Sequence, residues 1–267
     1  MIKEIFYLIK KNILIEKNYK FTLISNLFSL SLTLLIFYFI NSYFKYEVER
    51  YLKSFDINYF SYVFVSFLVF NYSGGNSTIN QRINFDISSG VFEFIISNKS
   101  IIISYLISLI IYSFLLSSIE AVLYYLIVCQ FDLIKISSVN IMALITTLII
   151  SVLIFSSIAF LSSSFVVLFK KGDIISFFIA IFESIFGGVY FPTQLLPEKI
   201  RIISDFIPLN YSIKAFQKIF YSQANLVDIS AEIKILIAFL IFLFPISLYL
   251  FSKSIEISKR MGNLNQY

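Results

Sequence analysis

The 267-residue chain is 58% hydrophobic and only 14% charged, with 32 Phe, 18 Tyr and neither Trp nor His. Soluble domains carry about 25% charged residues, so this composition excludes a soluble globular protein and points to an all-α integral membrane protein with one membrane domain. The formal net charge of +5 does not mark a nucleic-acid partner, because the basic residues are spread between apolar runs instead of forming one patch.

The first segment, 1–20, reads as an amphipathic interface helix. At 100° per residue Ile2, Ile5, Phe6, Ile9 and Ile13 fall on one arc and Lys3, Lys10, Lys11 and Lys17 on the other, with Glu16 out of place on the apolar side. The apolar run that follows is too long, and lacks the small-residue cleavage site, for a secretory signal peptide. Six spans are expected, at about 21–44, 57–80, 100–130, 138–169, 174–191 and 235–252, within a permease domain of 21–252 followed by a tail of 253–267. The loops then fall at 45–56, 82–99, 132–135, 170–173 and 198–234. With the N-terminus cytoplasmic, twelve Lys and Arg lie inside; the two shorter outer loops hold four and the long last loop five. The positive-inside rule therefore places both termini in the cytoplasm.

The loop at 82–99 carries Arg82, Asp86, Glu93 and Lys99 around Ile83, Phe85, Val91, Phe92, Phe94 and Ile95. This is expected to be an apolar patch with a charged rim, suited to docking in a partner's groove. Glu93 sits in the first turn of a helix starting near Gly90, where the helix dipole favours an anion. Cys129, the only cysteine, cannot form an internal disulfide and is expected to be a small buried hydrophobe. With no histidine and no cysteine cluster, neither a metal nor a cofactor bound by this chain is expected.

Glu183 lies ten residues past Asp173, about 15 Å along a helix. It is therefore expected near the bilayer midplane, lining a path, closing a subunit interface or serving as a structural carboxyl. Beyond it the sequence reads GGVYFPTQLLPEKIRIISDFIP, with Gly187, Gly188, Pro192, Pro197 and Pro208. Such punctuation forces an apolar segment to stop and turn back, as a re-entrant helical hairpin between the fifth and sixth spans. Ile213, Phe216 and Phe220 then recur at helical spacing beside Lys214 and Lys218, as in an interfacial helix.

Gly188-Val189-Tyr190-Phe191-Pro192, Leu196-Pro197 and Ile207-Pro208-Leu209-x-Tyr211 resemble the signature before the last span of ATP-binding-cassette exporter permeases of the second type. Gly90-Val91-Phe92-Glu93-Phe94-Ile95-Ile96-Ser97 is similar to the family's cytoplasmic "G-T-L-E-x-L-L-x-S-P" segment. Val91, Asn98 and Asn210 replace the usual Thr, Pro and Thr. The resemblance covers essentially the whole chain. It implies a pore of two permease subunits, homo- or heterodimeric, with two cytoplasmic ATPase subunits that hold ATP and Mg. Gly90, Val91, Phe92, Glu93 and Phe94 would form the ATPase-coupling loop, and Gly187 through Tyr211 an extracytoplasmic gate. The membrane implied is the plasma (inner) membrane of a prokaryote, or one of prokaryotic ancestry. No G-x-x-x-x-G-K-[ST] phosphate loop occurs in the sequence, so the chain is not expected to be an enzyme. The Gly-x-x-Glu form of the loop leans by analogy toward drugs, lipids or other amphiphiles. A polysaccharide-exporting permease and a gradient-driven transporter or channel are the alternatives.

Overall fold

The computed structural model describes residues 1–18, 59–129, 139–169 and 173–261, together with positions 28, 32, 33, 35, 36 and 39. The expected first span, the loops at 45–56 and 132–135, and the last residues of the tail lie outside the described stretches.

Among the described residues the regular structure is entirely helical: α1 (Ile2–Asn18), α2 (Tyr59–Ser88), α3 (Val91–Ser97), α4 (Lys99–Cys129), α5 (Ile141–Phe169), α6 (Asp173–Phe186), α7 (Glu198–Asp205), α8 (Pro208–Ser222) and α9 (Ser230–Met261). Three of these are long and apolar enough to cross a membrane: α4 over Ile101–Cys129, α5 and α9. At about 1.5 Å per residue each exceeds the roughly 30 Å of a hydrocarbon core.

Helix α2 is equally long, with 30 residues, but it carries Asn71, Ser73, Asn80, Arg82 and Asp86. It can afford them because it is the hub of the bundle, packed by α3, α4, α5, α6 and α8. Neighbouring helices, not lipid, meet its polar side chains. Two apolar clusters form on it. One joins Tyr59 to Val69 with Val189, Leu209, Ile213 and Leu236. The other joins Ile79, Ile83 and Ile87 with Phe92, Ile95, Phe160 and Phe251. The facing helix α5 buries Ser156, Ser157, Ser162 and Ser164, whose hydroxyls return to carbonyls three or four residues back. These small side chains let the helices approach without leaving a hydroxyl unpaired.

Several boundaries differ from the sequence expectation for identifiable reasons. Helix α2 runs eight residues past 80, through Arg82 and Asp86, because both charges find partners on α1 and α4 and need no water. Helix α6 stops at Phe186, short of 191. Its 14 residues span about 21 Å, less than the hydrocarbon thickness. Helix α9 starts five residues before 235 and continues to Met261, with Pro245 inside it. The apolar stripe of α8 is turned into the protein: Ile213 and Phe216 are buried, Phe220 is partly buried against the same core, and Lys218 pairs with Glu232 at 2.7 Å. Cys129 is exposed instead of buried.

Candidate functional site

The segment expected as a loop at 82–99 is a helical elbow. Helix α2 ends at Ser88, Gly90 takes a left-handed φ of 73°, and the seven residues of α3 follow. A positive φ is costly for a residue with a Cβ, so glycine suits the corner. Phe92, Ile95 and Ile96 turn into the core while Val91 and Phe94 face outward, Phe94 being 70% exposed. Glu93 lies in the first turn, half-buried. The last turn of α3 is capped from a distance: Lys259 of α9 donates to the Ile96 carbonyl at 2.8 Å, placing a cation where the helix dipole is negative.

Arg82 and Asp86 are not a rim, correcting the sequence expectation; both are buried. Lys11 of α1 donates to Asp86 Oδ1 at 2.7 Å and Tyr105 of α4 donates to Oδ2 at 2.9 Å. Arg82 reaches Glu16 Oε2 at 3.4 Å and the Tyr112 hydroxyl at 3.2 Å, while Tyr112 donates to Glu16 at 3.1 Å. The two clusters fasten α1 to the elbow. Consequently α1 docks by its polar edge, with Glu4, Lys11, Asn12 and Glu16 inward, and leaves Ile2, Phe6 and Ile13 exposed beside Lys3, Lys10 and Lys17. Ser104 donates to Glu4 at 2.7 Å and holds that carboxyl below the usual range.

At the opposite end of α2 sits the glycine–proline segment. Tyr62 and Asp86 are 24 residues apart on the helix, about 36 Å. Gly187 still bonds the Glu183 carbonyl at 2.8 Å, and a Cβ there would come within 2.8 Å of Leu209 Cδ2. Gly188 then breaks away with φ 83°. The Tyr62 hydroxyl donates to the Gly188 carbonyl at 2.7 Å and Tyr59 to the Tyr190 carbonyl at 2.9 Å. Pro192 leads into a short 3₁₀ turn at Thr193–Leu195, Pro197 precedes α7 and Pro208 opens α8. Asn210 ties the segment together, accepting from Thr193 at 3.3 Å and donating to the Ser204 carbonyl at 3.1 Å. Tyr211 donates to the Asp205 carbonyl at 3.2 Å, and Lys214 lies over its ring at 5.3 Å. Burial pushes the Tyr211 hydroxyl up and the Lys214 ammonium down.

Between the two apolar clusters lies a buried polar band. Ser73 of α2 donates to Glu183 Oε2 of α6. Asn80 joins three helices, donating to Ser162 at 2.7 Å and to Ser176 and accepting from Ser163. Among the described residues no group of His, Cys, Asp or Glu could hold a metal ion.

Comparison with protein families matches ABC-2 type transporter over residues 3–221. The chain belongs to the ABC-2 type transporter family. It is thus an integral membrane permease subunit, not a catalytic domain. A search of curated proteins returns no match. The family match runs from α1 through α8, so it embraces both ends of α2.

The ABC-2 elbow residues Gly90 to Phe94 lie on one short element, and Gly187, Gly188, Pro192, Pro197, Pro208 and Tyr211 share another, far from the first. Glu183 belongs to neither; it stands one turn before Gly187, against α2. What sequence reasoning missed is the side-chain machinery that holds these elements: Lys11, Glu16, Tyr105, Tyr112 and Lys259 at one end, Tyr59 and Tyr62 at the other, Asn80 between. One signal was present. Glu16, stranded on the apolar arc of α1, needed a partner, and Arg82 supplies it.

Proposed function

We propose that the chain is the membrane-spanning subunit of an ATP-driven exporter that moves a drug, lipid or other amphiphile out of the cytoplasm. Six spans, the fifth made by the short α6 with the residues that follow it to 191, a cytoplasmic α1 and tail, and a re-entrant segment between the fifth and sixth spans complete this reading. A second permease subunit and two ATPase subunits complete the transporter, and ATP and Mg belong to the ATPases. The observation that carries it is the elbow. A seven-residue helix is gripped by core residues behind it, and presents Val91 and Phe94 outward. Exposed apolar side chains on so rigid a mount suit insertion into a partner's cleft.

In this mechanism ATP binding closes the motor subunits against the elbow. The charge clusters oblige α1 to move with it, and the displacement opens a path between two permease subunits. The Gly187–Tyr211 segment is the gate at the far end of α2. Purification of the chain with its cognate ATPase tests the reading. Stable association is expected, and Glu93→Arg is expected to weaken it without changing the unfolding temperature of the membrane domain. Recovery of the chain alone, with gradient-driven transport and no ATPase bound, overturns the proposal. Unchanged association and transport in Glu93→Arg removes the docking role.

A further inference from the structure

Glu183 is 5% exposed, and although Ser73 donates to one carboxyl oxygen, the other, Oε1, has no hydrogen-bond partner. The residue lines a groove of about 340 Å³ whose other walls are apolar, among them Ile158, Phe178, Phe182, Phe206 and Pro208. The groove opens outward: Phe178 is 64% and Phe206 74% exposed. A carboxyl oxygen left unpaired in such surroundings is costly, and an apolar groove with one convergent polar group has the make-up of a small-molecule site.

Among the described residues that line the groove, none completes this site. No Lys or Arg occurs within Ile101–Cys129, Ile141–Phe169 or Asp173–Phe186, and the chain has no His. Arg82 lies on α2 beyond Ser73 and Asn80, paired with Glu16. A second copy bringing the same apolar helices to this face would supply no cation at this depth. A neutral acyl chain would fill the walls yet leave Oε1 unpaired. A glycan, which needs many donors and acceptors, would meet only one polar side chain. An anionic lipid would be repelled.

We infer that the groove between α5, α6 and the start of α8 binds an amphiphile with an apolar body and a cationic nitrogen head that carries N–H, the N–H donating to the Glu183 carboxylate. The aromatic walls suit such an occupant twice over, by apolar contact and by attraction of a cation to the faces of Phe178, Phe182 and Phe206. The inference rests on the reading of the chain as an exporter of amphiphiles and narrows that class to hydrophobic amines.

The test uses the full chain in phosphatidylcholine nanodiscs with rhodamine 6G, a hydrophobic monocation carrying N–H groups. Nile red, uncharged, serves as the second probe, and fluorescence anisotropy is read against empty nanodiscs. Rhodamine 6G is expected to bind the wild type and to bind Glu183→Gln roughly tenfold or more weakly, with Nile red little changed. Phe178→Trp fills the groove from its open wall without touching the carboxyl. It gives the same loss if Glu183→Gln does not fold. Equal rhodamine 6G binding by wild type and both variants, or wild-type binding no greater than that of empty nanodiscs, overturns the site. So does a disulfide between two copies carrying Phe178→Cys together with Cys129→Ser that rhodamine 6G does not suppress, since a second copy then occupies the groove. ATPase co-purification is measured on the same samples. Retained ATPase with no dye binding sinks the amine site alone, whereas dye binding without ATPase supports the site and sinks the exporter reading.

Discussion

At the scale of single residues, the bundle depends on positions where one atom more or one charge less has no way out. Gly187 and Gly188 are the first such pair. Gly188→Ala places a Cβ on a left-handed backbone, 3.1 Å from Thr193 Cγ2, and is expected to cost at least about 1 kcal/mol. Gly187→Ala meets the Glu183 carbonyl and Leu209 and should cost more. Gly74, with nothing within 4 Å of its would-be Cβ, is the control. Its replacement by alanine should leave the thermal midpoint in detergent unchanged or raised, because alanine favours a helix by about 1 kcal/mol over glycine. The charge clusters give a second case. Lys11→Met leaves Asp86, whose side chain is 1% exposed, with only the Tyr105 hydroxyl. An orphaned buried charge is expensive, although partial exposure of Lys11 tempers the loss to about 1–3 kcal/mol. Lys10→Met, on the exposed side of the same helix, should be nearly neutral. Equal midpoints for the two lysine variants would show that the Lys11–Asp86 pair holds nothing.

At the scale of elements, the long apolar helices were legible because a bilayer admits few ways to bury a run of uncharged residues. Helices α4 and α5 fall within a few residues of where the sequence puts them, and the Gly90 and Gly187–Gly188 breaks sit at real corners. The ends of α2 and α9 were not legible. A charge normally marks the end of a span, yet Arg82, Asp86 and Lys259 continue their helices because partners distant in sequence receive them. No local pattern announces a bond such as that between Lys259 and the Ile96 carbonyl, 163 residues apart. That bond makes α9 part of the elbow. Lys259→Met should therefore loosen α3, seen as faster amide exchange over 91–97 with little change in α5. An exchange rate in α3 equal to wild type would mean that the apolar residues Phe92, Ile95 and Ile96 suffice to hold it.

At the scale of the whole molecule, the proposed exporter requires a push at the elbow to reach a turn about 36 Å away along α2. Helix α2 touches both ends, but a lone helix can slide or rotate without carrying its neighbours. The polar band removes that freedom. Asn80 engages Ser162 and Ser163 of α5 and Ser176 of α6, so α2 cannot shift without dragging α6, which leads directly into Gly187. The sequence does not disclose this node, since a single Asn among many Ser residues looks like any tolerated polar residue in an apolar helix. Asn80→Leu removes the shared partner and leaves three buried hydroxyls to rebond to their own helix carbonyls, as Ser162 already does with Ala159. The membrane domain should still fold, and the elbow, whose outward residues Val91 and Phe94 lie beyond the end of α2 and do not touch the node, should still bind the ATPase. What should fall is transport per ATP hydrolysed, by several-fold, with hydrolysis itself close to wild type. The complementary change, Tyr62→Phe, frees the Gly188 carbonyl at the turn. A cysteine placed at Tyr190, with Cys129 replaced by Ser, should then react faster with a membrane-impermeant thiol reagent, whether or not ATP is present. If Asn80→Leu leaves transport and hydrolysis in their wild-type ratio, the band is only packing, and motion must travel through α5 and α9. Helices α5 and α9 are in extensive contact, and Lys259 ties α9 to the elbow.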